Sequence, residues 1–208
     1  MTHYKWRGIY LITPDNSDTD DLIKQVNPLL NAGIGCLQYR NKIADTALRY
    51  QQAQALQSLC QAAKVPLIIN DHLQLAYDIG AAGVHLGEED GDISAARHYL
   101  GPDAIIGVSC YDSISRAQHA VAAGANYVAF GAFFPTISKH TTRRAPLDVL
   151  IQSASLPVPR VAIGGIRIDN ARPLVAAGAD MLAIISGIFA ADNPLVALRA
   201  YQQCFDIS

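Results

Sequence analysis

Pro66-Leu67-Ile68-Ile69-Asn70 is a short apolar run, rich in branched side chains, that stops at a polar residue. Its length suits a buried strand and not a helix. Runs of the same kind recur at 9–13, 36–40, 83–86, 105–109, 127–131, 160–164 and 181–186, which brings the expected strands to eight. The segments between them, such as 45–63 and 93–100, are rich in Ala, Leu and Gln, with Gly and Pro gathered near their ends as helix stop signals. Strands alternating with helices at this spacing imply a parallel sheet.

A weak internal repeat supports the reading. Ala32-Gly33, Ile79-Gly80, Ala123-Gly124 and Ala177-Gly178 each precede an expected strand by a few residues. Glycine there suits a helix end closed in the left-handed conformation before the chain turns into the sheet. An open doubly wound sheet would show the same alternation, but it gathers polar strand ends only at its switch point. Here Thr13, Arg40, Asn70, Ser109 and Ser186 finish strands all along the chain. A closed barrel delivers every strand end to one mouth. The expected fold is therefore α/β, a single (β/α)8 TIM barrel domain over residues 1–208.

Composition agrees with a globular chain: half the 208 residues are apolar and 16% are charged. Sixteen basic and 18 acidic residues give a net charge of −2, which lacks the basic footprint of nucleic-acid binding. No apolar run reaches the roughly 18 residues of a membrane span, and the first residues are too polar for a signal peptide. A cytoplasmic location is expected, with small molecules as partners. Cys36, Cys60, Cys110 and Cys204 lack C-x-x-C spacing and read as reduced, buried residues.

Gln38, Arg40 and Lys42 alternate along the second strand, so they share one face while Leu37 and Tyr39 take the other. Two cations and an amide converging at a strand end suit a polyanion such as diphosphate. Asn70-Asp71 ends the third strand and Asp90 follows the fourth. These carboxylates could serve magnesium, which takes one or two protein carboxylates with phosphate oxygens and water, or could cap helices. Gly164-Gly165 and Ser186-Gly187 follow the seventh and eighth strands, where many barrels hold a phosphate on backbone amides. The hydroxyl-rich and basic segment 135–144 suggests a cover for phosphates, with Arg143 and Arg144 read as solvated. His85 reads as a satisfied core histidine, and Cys110 as a thiol without function.

In order along the chain, Gln38-Tyr39-Arg40-Asn41-Lys42, Ile69-Asn70-Asp71, Gly83-Val84-His85-Leu86-Gly87, Gly107-Val108-Ser109, Phe134-Pro135-Thr136-Ile137-Ser138-Lys139, Ala162-Ile163-Gly164-Gly165-Ile166 and Ile184-Ile185-Ser186 resemble the thiamine-phosphate synthase family. The resemblance implies a magnesium-dependent barrel that joins 4-amino-5-hydroxymethyl-2-methylpyrimidine diphosphate to a thiazole phosphate and releases diphosphate. It implies that Gln38 meets the pyrimidine, and that Arg40, Lys42, Asn70, Ser109 and Lys139 hold the diphosphate. Arg40, Lys42, Ser109 and Lys139 would be the catalytic set. Asp71 and Asp90 would bind magnesium, while Thr136, Ser138, Gly165, Ile185 and Ser186 hold the thiazole phosphate.

Four positions depart from the family pattern. Asn41 replaces Glu, His72 replaces Arg, Glu88 replaces Gln and Ser138 replaces Thr. Ser138 keeps its hydroxyl. His72 and Glu88 together remove positive charge and add negative charge beside the expected metal carboxylates, which would weaken diphosphate binding or alter the demand for metal. Two other functions fit the same residues. A thiazole tautomerase shares the barrel but carries a catalytic His where this chain has Ala132, and a non-catalytic barrel would bind the precursors without turnover. Assembly with further copies of the chain is left open by the sequence, as is a carboxylate on the thiazole substrate.

Overall fold

The computed structural model describes residues 6–88, 91–136 and 143–206. Eight parallel strands close on themselves in chain order: β1 (Gly8–Ile12), β2 (Cys36–Tyr39), β3 (Leu67–Asn70), β4 (Gly83–Leu86), β5 (Ile105–Tyr111), β6 (Tyr127–Phe130), β7 (Arg160–Ile163) and β8 (Met181–Ile184). β8 pairs with β1 from Gly8↔Met181 to Leu11↔Ile184, which rules out the open sheet.

The two-residue period of the strands gives the closed sheet an inner and an outer buried surface. Tyr10, Ile12, Cys36, Ile68, Tyr127 and Val161 fill the inside of the barrel. Their neighbours Ile9, Leu11, Leu37, Ile69, Val128 and Ala162 face outward into a second apolar shell beneath the helices. Both faces of each strand are thus buried, so the strands read as continuous apolar runs.

The helices are α1 (Thr19–Leu30), α2 (Thr46–Ala63), α3 (Leu73–Asp78), α4 (Ile93–Leu100), α5 (Ile114–Ala122), α6 (Asp148–Gln152), α7 (Ile168–Ala176), α8 (Ser186–Phe189) and α9 (Pro194–Gln202). Asp18, Asp45, Asp92, Ser113 and Asn193 cap α1, α2, α4, α5 and α9, each accepting a first-turn N–H. The four glycines of the sequence repeat, Gly33, Gly80, Gly124 and Gly178, have φ of +87°, +63°, +98° and +106°, as their helix-closing role requires. No helix among the described residues is long and apolar enough to cross a membrane.

Three features exceed what the sequence pattern foretold. β5 continues two residues past Ser109 to Tyr111, with a register shift against β6. The connection after β6 reaches Leu147 before α6 begins, and α6 has only five residues. A four-residue helix, α8, is inserted between β8 and α9.

One inward position is held open by glycine. A Cβ on Gly107 would lie 1.9 Å from Cζ of Tyr127 and 2.1 Å from its hydroxyl. Gly107→Ala is therefore expected to destabilise the fold by roughly 1–3 kcal/mol, the usual cost of overpacking a core. Urea unfolding against the parent chain measures it, and an unchanged midpoint would show that Tyr127 is free to move aside.

Candidate active site

The C-terminal strand ends surround a cavity of about 450 Å³. Gln38, Arg40 and Lys42 line it together, while Leu37 and Tyr39 pack outward, as alternation along β2 requires. The backbone of Arg40 is clamped by Thr13: the Arg40 N–H donates to Thr13 Oγ1, which donates back to the Arg40 carbonyl, both at 2.9 Å. Asp15, absent from the sequence-based site, supports the same stretch. Its carboxylate accepts the Lys42 N–H at 2.7 Å and lies 3.6 Å from the Arg40 guanidinium. No sequence motif marks Asp15, because its partners are distant in the chain.

Asn70 and Asp71 line the neighbouring part of the wall. Asp71 does not cap α3: His72 holds the cap position, without a side-chain cap bond. The Asp71 carboxylate instead accepts from the Lys42 ammonium at 2.5 Å. Asp71 adopts φ +63°, a left-handed conformation that Asp and Asn tolerate better than other side chains. The cap of α4 belongs to Asp92; Asp90, like Ser138, Lys139 and His140, lies outside the described residues.

The floor is a chain of hydrogen bonds between five side chains. Gln38 Nε2 donates to the Tyr10 hydroxyl at 2.7 Å, and the Tyr10 and Tyr127 hydroxyls are 2.6 Å apart. His85 meets the Tyr127 hydroxyl through Nδ1 and Ser109 Oγ through Nε2, both at 2.9 Å. His85 is satisfied, as expected, but it also lines the cavity and links Ser109 to the barrel interior. The parts played by Tyr10 and Tyr127 were not legible in the sequence, because inside a strand they read only as core. Burial pushes both phenols well above the usual tyrosine range.

Across the mouth, Gly164, Gly165, Ile185, Ser186 and Thr136 form the other wall. A Cβ on Gly165, at φ +63°, would meet the Pro135 carbonyl oxygen at 2.3 Å, so the connection after β6 packs directly on this turn. α8 starts at Ser186 and is a single turn, so any anion there relies on local N–H groups and not on a long helix.

The departing residues have definite surroundings. Asn41 is buried behind β2, away from the cavity; its amide donates to the Asn16 carbonyl at 2.6 Å and to Gln52 Oε1 at 2.9 Å. His72 is exposed. Glu88 is met by Arg143 at 2.9 Å and Arg116 at 3.7 Å. Its negative charge thus has two cationic partners beside the cavity. Arg143 is not merely solvated, since it also lies over the Tyr111 ring at 4.8 Å. Cys110 packs in the outer shell, and burial pushes the pKa of its thiol up to about 12. All four cysteines are free and buried.

Ala132, where the tautomerase reading of the sequence expects a histidine, lines the cavity. Among the described residues no cluster of three or more His, Cys, Asp or Glu side chains could cage a metal. Asp71 presents one carboxylate to the cavity, and magnesium can be held by one or two protein carboxylates with waters and substrate phosphate oxygens as its other ligands.

Comparison with known proteins agrees with this geometry. Residues 9–188 match the model of the thiamine monophosphate synthase family. A thiamine-phosphate synthase of Xylella fastidiosa strain Temecula1 is 59% identical over 97% of this chain and 86% of its own length. One from Azoarcus sp. strain BH72 is 52% identical over 96% of this chain and 97% of its own. The solved thiamine phosphate pyrophosphorylase of Pyrococcus furiosus superposes with a TM-score of 0.85 at 30% identity, covering 98% of this chain and 97% of that one. With a matched segment that runs from the first strand into α8, and relatives alike over nearly their full lengths, the chain belongs to the thiamine monophosphate synthase family.

Proposed function

We propose that the cavity at the C-terminal strand ends is where this chain carries out the thiamine-phosphate synthase reaction of thiamine biosynthesis, with its two substrates held on opposite walls. The observation that supports this reading is the division of the mouth. Cations, hydroxyls and an amide from β2, β3 and β5 line one wall, and the turns after β7 and β8 line the other. The first suits the pyrimidine diphosphate and the second the thiazole monophosphate.

In this transferase reaction the carbon–oxygen bond of the pyrimidine methylene breaks and diphosphate leaves with the electron pair. The amino-pyrimidine delocalises the positive charge, and the thiazole nitrogen forms the new carbon–nitrogen bond. A leaving anion needs positioned donors more than it needs a nucleophile. Arg40 offers a planar fork to the phosphoryl oxygens, while Lys42, Asn70 and Ser109 supply single donors from the ends of β2, β3 and β5; Lys139 is assigned to the same group. Gln38, lowest on β2, meets the pyrimidine ring. Thr136, Ser138, Gly165, Ile185 and Ser186 hold the thiazole phosphate and aim its ring nitrogen across the mouth.

Asp71 and Asp90 are the residues that would hold magnesium, which when bound neutralises charge on the diphosphate. Lys42 and Asp71 neutralise one another; when the pair parts, Lys42 is free to turn to the diphosphate and Asp71 to a cation. Because Lys42 is about half exposed, little stability is lost when the pair parts.

The test is an assay of the purified chain with both substrates, following diphosphate and thiamine phosphate. Release is expected only with both substrates and magnesium. Robust turnover in chelator would remove the metal assignment, and precursor binding without product would favour the non-catalytic barrel.

A further inference from the structure

The hydrogen-bond chain Gln38–Tyr10–Tyr127–His85–Ser109 joins the residue assigned to the pyrimidine with one assigned to the diphosphate. We infer that this chain has a direction, that the substrate selects it, and that Tyr10 and Tyr127 are thereby positioning residues that discriminate a 4-amino pyrimidine from a 4-oxo one. The inference rests on the placement of the two substrate ends proposed above.

The argument is a count of protons. A hydroxyl has one proton to give, and a neutral imidazole has one donor and one acceptor. Burial keeps both phenols protonated. With Gln38 Nε2 donating to Tyr10, as in the structure, the Tyr10 proton must go to Tyr127 and the Tyr127 proton to His85 Nδ1. The imidazole proton then sits on Nε2 and goes to Ser109 Oγ, which frees the Ser109 proton to donate into the cavity. In this direction Gln38 keeps its carbonyl oxygen for an amino group, and Ser109 offers a donor to an anion.

The opposite direction is equally self-consistent within the chain. Gln38 would accept from Tyr10 and present its amide N–H, while Ser109 would spend its proton on His85 Nε2. A mixed arrangement leaves two donors or two acceptors facing each other in a buried site, which is costly. A ligand with an amine at one end and a diphosphate at the other is matched by the first direction at both ends. A 4-oxo pyrimidine asks for the second direction at its ring, and that takes the Ser109 donor away from the diphosphate. Discrimination at the ring is thus amplified through the floor.

The experiment is calorimetric titration with two pyrimidine diphosphates that differ only in the 4-amino or 4-oxo group. The proteins are the parent chain, Tyr127→Phe, Tyr10→Phe and the double variant. The parent is expected to prefer the amine by at least about 100-fold, because a mismatch leaves buried polar groups unpaired at the ring and again at the diphosphate. Each Phe variant keeps its ring, which in Tyr127 stacks on His85 at 5.6 Å between centroids, but cuts the chain. Gln38 can then turn without calling on Ser109, and the preference is expected to shrink to less than about 10-fold, with the double variant no worse than either single one. An undiminished preference in a variant that is folded by circular dichroism overturns the inference. So does equal binding of both ligands to the parent, while the site assignment then stands. If neither ligand binds the parent, the assignment itself fails. The two variants cut different links, so misfolding of one leaves the other to decide.

Discussion

Arg40→Lys is expected to lower kcat by about 100-fold, the effect of removing one preorganised donor to a developing anion. The variant keeps the charge and loses the fork, so it separates geometry from electrostatics. Its backbone is expected to stay in place, because Thr13 grips the Arg40 N–H and carbonyl regardless of the side chain. Asp15 would still hold the Lys42 N–H at 2.7 Å. Steady-state kinetics with circular dichroism as the folding control measures the effect, and a kcat within twofold of the parent would take Arg40 out of the reaction.

A second large effect concerns the independence of the two walls. Asp71→Asn tolerates the left-handed backbone at φ +63° and removes only the carboxylate charge. Magnesium-dependent diphosphate binding is expected to fall by about 10- to 100-fold, while thiazole phosphate affinity stays within about threefold, since the hard cation depends on that oxygen and the other wall does not. Ser186→Glu is expected to do the reverse by placing negative charge at the first turn of α8. Titration of each ligand against each variant decides the matter. Equal loss of both ligands in Asp71→Asn would mean that the mouth binds its substrates as one unit.

Glu88 shows that the partners of a charge lie outside a local reading. From sequence alone, a Glu at that position adds repulsion beside an anion site. In the fold Arg116 from α5 and Arg143 from beyond β6 both reach it, neither of which is near it in the chain. A charge has no fixed effect until its partners are known, because the Coulomb term falls with distance and exposure.

The amino-acid order by itself determined the barrel and which end of it gathers the polar strand termini. Both depend on local regularities: the two-residue period that separates Gln38, Arg40 and Lys42 from Leu37 and Tyr39, the glycines that need positive φ at helix ends, and polar residues at strand ends. Motif order from Gln38 to Ser186 then named the family, which the comparisons bear out over residues 9–188. Only the tertiary structure decided which polar groups meet. Asp15 beneath Arg40 and Lys42, the pairing of Asp71 with Lys42, and the floor that runs from Gln38 to Ser109 through two tyrosines all join residues on different strands or loops. Hydrogen bonds and ion pairs act over a few ångströms of space, and chain spacing carries that information only after the barrel has closed.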